Sequence, residues 1–408
     1  MTWPEQPFGD LYAAPSRNGV YKSHEFHGRG CRMVNMGELF GMDFISDQEM
    51  QRVELTDSEL ALNKLDDGDL LFGRRSLVEA GAGKCSLVVD PVDPLTFESS
   101  IIRVRLNKET TNPRFFYYYF LSPQGRGRIR SLVSGTNVKG IRGSDLKKLR
   151  VQNPLKETQD KIADVLSAYD SLIENNRRRM ALLGEAVRLL YQEWFIRLRF
   201  PGHGHAKIHN GIPEGWERKP IATLCESIDY GYTASAEAED IGPRFLRITD
   251  IVPDFIDWSS VPHCEIEEGR LTRFRLLAGD IVVARTGATV GYAKRLNKRH
   301  PDAVFASYLV RFRLKESVDN LIVGTFVESS DYKVYVQSRI GGAAQPNANA
   351  RVLAAAEMLV PTESIQQNFR ESAQPMIDQQ EVLQIQNEKL RTARDLLMTR
   401  LMSGEIEV

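Results

Sequence analysis

The 408-residue sequence has few cysteines and no cysteine motif. The four cysteines lie far apart, at Cys31, Cys85, Cys225 and Cys264. This spacing excludes a disulfide framework and a thiolate zinc site, so we expect buried free thiols. His24 and His27 lie near Cys31, but the segment offers no fourth ligand at a suitable spacing, and we expect an ordinary loop without metal.

Long apolar runs and a large net charge are also missing. No run approaches the roughly 18 apolar residues of a membrane span, and residues 1–5 do not begin a secretory signal. We therefore expect a cytoplasmic protein with no membrane partner. A net charge of −1 argues against a protein that grips polyanions over its whole surface.

Nucleotide-binding and catalytic motifs are absent as well. Residues 81–85 resemble the end of a P-loop, but Cys85 replaces Ser or Thr and Val78 replaces the first Gly, so we expect a turn. There is no Asn-Pro-Pro-Tyr or Asp-Pro-Pro-Tyr string. A nuclease site could be assembled around Mg²⁺ from Asp302, Asp331 and Lys333, but such short patterns often arise by chance. The sequence thus predicts no catalytic residue and no metal site.

Charge is unevenly distributed along the chain. Residues 38–69 contain ten acids and two bases, whereas residues 103–150 contain twelve bases against two acids, a local charge of +10. Such a segment indicates either a solvated face or a surface that binds phosphate groups.

The chain contains two diverged copies of one unit. Trp3, Pro7 and Leu11 correspond to Trp216, Pro220 and Leu224 at a constant shift of 213 (216 − 3). The shift falls to 211 at Gly68-Asp69 against Gly279-Asp280, and to 207 at Pro154 against Pro361. This period is too long for a solenoid repeat, so each copy should be a whole domain followed by its own tail.

The first copy, residues 1–155, is predicted to be a strand-rich α+β domain. Short apolar stretches at 69–72 and 101–106 are typical of strands. Asn112 and Pro113 are typical of the N-cap and first position of a helix that continues through Leu121. The aromatic residues of that helix either pack into the core or stack on bases.

A long helix, residues 156–200, is predicted after the first domain. Apolar residues recur there with spacing of four and three, which is typical of a coiled-coil seam. The seam positions are Ile162, Leu166, Tyr169, Ile173, Asn176, Met180, Leu183, Val187, Leu190 and Trp194. The polar Asn176 is expected to fix the register against a partner helix.

The second copy repeats this order. A linker at 201–215 leads to a second domain at 216–362 and a second long helix at 363–408, where we expect Pro375 to kink the helix or delay its start. The residues expected to pair the two helices are Ile162, Leu166, Ile173, Asn176, Leu183, Leu190, Met376, Leu383, Asn387, Leu390 and Leu397. We predict an α+β chain of two similar globular domains, separated by two long helices that pair as an antiparallel coiled coil.

Several strings in this order resemble the DNA-specificity subunit of type I restriction-modification systems. They lie at 163–166, 170–176, 191–195, 279–291, 342–349 (with Gln345-Pro346-Asn347) and 400–406. The resemblance covers nearly the whole chain. It implies that residues 1–155 and 216–362 are target-recognition domains, each reading one half of a bipartite site in double-stranded DNA. It also implies that the helices set the spacing and dock partner subunits.

The resemblance further implies a non-catalytic subunit that works with two methyltransferase subunits and with restriction/translocase subunits. S-adenosylmethionine, ATP and Mg are then expected in those partners and not in this chain. Divergence of the copies implies an asymmetric target. The alternatives are a specificity subunit of a type IIB-like enzyme, a coiled-coil adaptor that binds protein, and a standalone nuclease.

Loops with Arg, Asn, Gln, Thr and aromatic side chains are the expected DNA contacts, because these groups read base edges or approach phosphates. In the first domain they are Tyr21, Lys22, Asn35, Arg74, Arg75, Asn137, Lys139 and Arg142. In the second they are Tyr232, Thr233, Arg247, Arg285, Thr286, Thr289, Gln345, Asn347 and Arg351. Replacing Arg285 is expected to relax the second half-site alone, and lengthening the helices near Asn176 and Asn387 is expected to lengthen the spacer.

Overall fold

The computed structural model describes residues 3–76, 81–135, 138–340 and 346–408. The chain divides into two compact units, one formed by Met1–Asn176 with Ile385–Val408 and the other by Arg177–Gln384. Both units contain helices and strands, which confirms the predicted α+β class. Both long helices contribute to both units.

The first unit begins with a strand-rich domain. Its strands are β1 (Glu5–Pro7), β2 (Tyr12–Asn18), β3 (His27–Val34), β4 (Phe44–Ile45), β5 (Arg52–Val53), β6 (Leu70–Gly73), β7 (Arg75–Ser76), β8 (Cys85–Val88), β9 (Leu95–Phe97), β10 (Ile101–Leu106), β11 (Lys139–Gly140) and β12 (Arg150–Gln152). Its helices are α1 (Met36–Gly41), α2 (Asp57–Asn63), α3 (Pro113–Leu121), α4 (Pro123–Arg130), α5 (Gly143–Lys148) and the start of α6 (Lys156–Tyr191).

A five-stranded sheet in the order β2-β10-β6-β8-β4 lies at the centre of this domain. Strand β6 is buried along its whole length, as expected for an apolar run covered on both faces. A smaller sheet in the order β5-β3-β9 includes the parallel pair β3 and β9. Strands β1 and β12 pair with each other and bring the two ends of the domain together.

Helix α3 begins as the sequence predicts. The Asn112 side chain accepts hydrogen bonds from the backbone N–H groups of Arg114 and Phe115, and Pro113 occupies the first helical turn. All six aromatic residues at 115–120 are buried in the core of the first unit. Their rings therefore pack the domain and are not presented to bases.

The first unit also contains a pair of helix segments. Ile162 and Leu166 of α6 pack in the same core as Leu401 and Met402, which belong to α13 (Glu363–Met402). Farther along, Asn176 Nδ2 donates to Asn387 Oδ1 at 3.0 Å. Residues with higher numbers on α6 contact residues with lower numbers on α13, so the two segments run antiparallel.

A buried polar network ties helix α3 to this pair. The Tyr118 hydroxyl donates to one oxygen of Asp170 at 2.5 Å, and the Arg394 guanidinium forms an ion pair with the same carboxylate. Burial alone would lower the pKa of Arg394, but the Asp170 and Asp395 carboxylates together more than offset this effect, so the pKa is raised. Three elements thus meet at Asp170.

The second unit repeats the plan of the first. Its strands are β13 (Ile208–His209), β14 (Ile212–Pro213), β15 (Glu217–Pro220), β16 (Cys225–Tyr230), β17 (Arg244–Leu246), β18 (Ile281–Ala284), β19 (Ala293–Arg295), β20 (Ala303–Phe305), β21 (Leu309–Leu314) and β22 (Glu357–Val360). Its shorter helices are α7 (Ile221–Leu224), α8 (Ile248–Ile251), α9 (Glu268–Phe274), α10 (Asn320–Val327), α11 (Ser330–Arg339) and α12 (Ala350–Ala354).

The sheet order β16-β21-β18-β19 matches β2-β10-β6-β8 strand for strand, and the pair β15 and β22 matches β1 and β12. The parallel pair β17 and β20 likewise matches β3 and β9. The expected linker contains a short hairpin formed by β13 and β14, each two residues long. The duplication read from the sequence is therefore a duplication of topology.

A buried ion pair is repeated too. Both carboxylate oxygens of Asp69 accept from Arg105 at 2.7 Å, and those of Asp280 accept from Arg313 at 2.9 and 2.7 Å. Each aspartate also accepts from a backbone N–H three residues earlier. The repeat thus preserves its internal ion pair.

Helix segments also pair within the second unit. Tyr191, Trp194 and Phe195 surround the fully buried Phe369 with ring centroids 5.0 to 6.2 Å apart. Helix α13 begins at Glu363 and contains Pro375 in its interior. Of the two effects expected of this proline, a kink or a delayed start, the delayed start does not occur. Burial of flanking residues such as Phe369 and Ala373 compensates for the missing N–H group of the proline.

A cavity of about 160 Å³ lies in the second unit. Thr325, Ile377 and Val187 line it. At the shift of 207 (325 − 118), these residues correspond to Tyr118, Asp170 and Arg394, the members of the network in the first unit. The second copy lacks the tyrosine ring and the ion pair of the first, and a cavity lies at the equivalent positions.

Candidate nucleic-acid interface

In the first unit, a loop and a strand meet beside the end of β6. Arg74 N donates to Ser100 O at 2.8 Å, and Ile141 N donates to Arg74 O at 3.0 Å. Next to it, Arg75 pairs with Gly140 and Ser76 with Lys139 in an antiparallel ladder. The backbone of Arg74 is therefore fixed on both sides.

We call this arrangement of backbone hydrogen bonds around Arg74 the loop frame. The second unit has the same frame after β18. Arg285 N donates to Tyr308 O at 3.0 Å, and Ala348 N donates to Arg285 O at 2.8 Å. Thr286 bridges Asn347 in the antiparallel sense, as Arg75 pairs with Gly140 in the first unit. Arg74 and Arg285 are thus equivalent by sequence shift, at 211 (285 − 74), and by hydrogen bonding.

The Arg285 side chain is held over an aromatic ring. Its guanidinium carbon lies 4.7 Å from the centre of the Tyr230 ring, and Nη2 donates to Asn347 Oδ1 at 3.3 Å. Its Nε is buried without a partner among the described residues. Stacking of this kind orients the planar fork and leaves N–H groups for a ligand.

Two tyrosines at this site were missed by the sequence analysis. Tyr230 and Tyr308 are 42% and 60% exposed, and the Tyr230 hydroxyl accepts from Ala350 N at 2.9 Å. The only sequence feature that could have indicated Tyr230 is the run Tyr230-Gly231-Tyr232. Its partner Arg285 lies 55 residues away (285 − 230), so no local pattern joins the two.

The remaining predicted contacts of this frame are exposed to different degrees. Arg75, Arg142, Asn347 and Arg351 are exposed, whereas Arg74, Lys139, Thr286 and Thr289 are half-buried. Arg74 Nη1 donates to Ser99 O at 3.3 Å. The predicted residues Asn137 and Gln345 lie outside the described residues.

Other predicted contacts are engaged within the protein. Asn35 and Arg247 occupy equivalent N-cap positions, where the backbone N–H of each donates to the carboxylate three residues later, of Glu38 and Asp250. Arg247 also holds Asp250 through two side-chain hydrogen bonds of 2.9 and 3.0 Å. These interactions occupy groups that would otherwise contact a ligand.

The two predicted contacts near the start of the first domain differ from each other. Tyr21 is 84% exposed. Lys22 forms an ion pair with Glu59 at 2.8 Å and lies over the Phe26 ring. The hydrogen bond from Lys22, together with bonds from Thr56, lowers the pKa of Glu59 to about 2. Glu59 is therefore a carboxylate at physiological pH, and its charge compensates that of Lys22.

Tyr232 and Thr233 line a surface pocket of a different character. Four carboxylates share it, from Glu237, Glu239, Glu265 and Glu267. Carboxylates repel phosphate groups, but they can accept hydrogen bonds from the amino group of cytosine. Contact with DNA at this pocket would therefore involve base edges.

The P-loop-like string and two residues of the possible nuclease site contact other groups of the protein. Within the described ranges, no three His, Cys, Asp or Glu side chains are arranged to hold a metal ion. Lys84 of the P-loop-like string donates to Phe40 O at 2.5 Å. Asp302 forms an ion pair with Arg275, and Lys333 lies over the Tyr292 ring. No helix among the described residues is both long and apolar enough to cross a membrane.

Comparison with known proteins gives consistent matches. The family model described as "Type I restriction modification DNA specificity domain" matches residues 42–183. The chain is 23% identical over 383 residues to the type I restriction enzyme MjaIX specificity subunit of Methanocaldococcus jannaschii, which covers 82% of this chain and 83% of the relative. It is 19% identical to the HindI specificity subunit of Haemophilus influenzae, over 99% of both chains.

The crystal structure of a type I restriction-modification S subunit from M. genitalium has the same fold. It superposes with a TM-score of 0.50 at 13% identity and covers 98% of this chain and 96% of that chain. With the duplicated topology, these matches agree: residues 42–183 match a type I restriction modification DNA specificity domain, and the chain is similar over most of its length to type I restriction enzyme specificity subunits.

Proposed function

We propose that this chain is the non-catalytic, sequence-specific DNA-binding subunit of a type I restriction-modification system. It reads an asymmetric bipartite site in double-stranded DNA and positions modification and restriction subunits there. One observation carries the proposal: the same loop frame occurs in both units, and each copy presents an arginine without a carboxylate partner among the described residues.

The chemistry of the frame suits DNA. In the second unit, Arg285, Asn347 and Tyr230 combine a positive charge, an amide and an aromatic ring at one exposed site. Arginine binds guanine or phosphate, and asparagine pairs with adenine. The +10 charge of residues 103–150 adds attraction to phosphates in the first unit.

Divergence of the two frames supports an asymmetric target. The pair Arg75 and Gly140 in the first unit corresponds to Thr286 and Asn347 in the second. Different side chains in the same frame read different bases. The two half-sites are therefore proposed to differ in sequence.

The partners and cofactors follow from the family relation. We propose two methyltransferase subunits that supply S-adenosylmethionine, and restriction/translocase subunits that use ATP and Mg. The paired segments of α6 and α13 are the proposed docking surface, and the proposed location is the cytoplasm.

Selection from random duplex DNA tests this function. The full chain, alone and with its modification subunits, is expected to enrich one motif with two specified halves and an unspecified spacer. A protein-binding adaptor would enrich no sequence, and a standalone nuclease would cut DNA with Mg²⁺ in the absence of partners. Either result would overturn the proposal.

The spacer provides a second test. Inserting seven residues into α6 after Asn176 and seven into α13 before Asn387 should add about 10 Å to each helix, or about three base pairs of DNA. We expect the preferred spacer to lengthen by about three base pairs while both half-sites stay the same. Sequencing of methylated DNA measures this. A single insertion in α6 alone breaks the pairing and is the control. An unchanged spacer in a folded double-insertion variant would reject the role of helix length.

A further inference from the structure

The two loop frames share some residues and differ in others. If the chain reads two different half-sites, the shared and the unshared residues should have different roles. We infer that Arg74 and Arg285 are matched contacts to DNA backbone phosphates, whereas the unshared side chains around them select the bases. The inference rests on the proposed function and assigns separate roles within that site.

The first step is the identity of the shared residue. Arg74 and Arg285 occupy equivalent positions, and each donates its N–H to a carbonyl of the neighbouring strand and accepts from a residue 63 to 67 positions later (348 − 285 and 141 − 74). Both copies hold an arginine in the same backbone geometry, so we expect this arginine to bind a chemical group that is present in both half-sites. Every half-site contains phosphates, but not every half-site contains the same base.

Arg74 and Arg285 also differ in charge compensation from other arginines that the two units share. Other arginines repeated between the units, such as Arg105 and Arg313, are neutralised by the buried Asp69 and Asp280. In the part of the chain that the structure describes, Arg74 and Arg285 contact only uncharged acceptors, the Ser99 carbonyl and the Asn347 amide oxygen. A half-buried, uncompensated cation just after the end of a central strand is suited to an anionic ligand.

The third step is the set of residues that differ. Tyr230 corresponds to Asn18 at a shift of 212 (230 − 18), and Asn347 corresponds to Gly140 at 207 (347 − 140). Asn347 is exposed, and Tyr230 stacks on Arg285 with 42% of its surface exposed. Asparagine has the donor and acceptor that adenine requires. Variation is thus concentrated in groups that discriminate bases.

The experiment uses the full chain and a duplex that carries its selected site. Arg285→Gln is expected to weaken binding about tenfold and to lower the slope of log K against log salt by about 1. The motif should stay the same in both halves, in place of the relaxed second half-site expected from the sequence alone. Arg74→Gln is expected to do the same. Arg285→Lys keeps the charge and should restore most of the affinity, which also separates the effect from misfolding.

A scan with methylphosphonates locates the contact. Neutralising one phosphate in the second half-site should weaken the wild-type complex about tenfold and leave the Arg285→Gln complex unchanged. Asn347→Ala is the matched variant from the unshared set, and it should change the base preference of the second half at constant salt slope. Arg275→Gln, which removes an arginine ion-paired with Asp302 and outside the predicted contacts, should leave the slope unchanged.

The outcomes separate the two levels of the proposal. A relaxed second half-site with Arg285→Gln, or an unchanged salt slope, would overturn the phosphate assignment while DNA recognition stands. If the wild-type chain selects no motif, with or without its modification subunits, the proposed function itself fails.

Discussion

Replacing Asp170 by alanine is expected to lower the free energy of unfolding of the first unit by about 3–5 kcal/mol. Asp170 and Arg394 form an ion pair with side chains only 10% and 13% exposed, and Tyr118 donates to the same carboxylate. Removing the carboxylate leaves the buried Tyr118 hydroxyl without its acceptor and leaves the buried Arg394 guanidinium with only the exposed Asp395 as a charged partner. The loss should be local to Met1–Asn176 and Ile385–Val408.

Asp395 supplies a matched control, because it contacts the same guanidinium at 2.8 Å from a position 54% exposed. Asp395→Ala should cost no more than about 1 kcal/mol. Urea unfolding with hydrogen exchange read by mass spectrometry measures both variants and assigns the loss to a unit. Equal effects of the two changes would mean that burial of the Asp170 pair contributes nothing.

Replacing Phe369 by alanine should destabilise the second unit by about 3–5 kcal/mol. The ring is fully buried and contacts Tyr191, Trp194 and Phe195. Alanine removes a large apolar side chain from a cluster that joins segments of both long helices. Faster hydrogen exchange is expected throughout Arg177–Gln384.

Val382→Ala is the control for this change, because Val382 lies on the same helix but is 43% exposed. It should alter stability by less than about 1 kcal/mol. Protection of the first unit should persist in the Phe369 variant. Simultaneous loss of protection in both units would contradict independent cores.

Much of the architecture could be predicted from the sequence because it depends on local patterns. The capped start of α3 follows from Asn112 and Pro113, and the strand β6 follows from its short apolar run. The duplication was visible because both copies preserve the residues that close turns and bury the sheet.

Side-chain pairing could not be predicted, because it joins residues far apart in the sequence. Tyr230 meets Arg285 only after the sheet forms, and Asp170 meets Arg394 only after the helix segments pair. Asn35 and Arg247 have side chains suited to bases, yet their neighbours three positions later make them helix caps. A polar residue type indicates capacity for contact, and its partners in the fold decide how that capacity is used.

The composition of the first unit has a consequence for biosynthesis. Its hydrophobic core includes Met398, Leu401 and Met402 together with residues from the first domain. A nascent chain emerging from the ribosome exposes Arg177–Gln384 before these residues leave the exit tunnel. The first unit is therefore completed after the second, because its core cannot close until residues 398–402 have emerged.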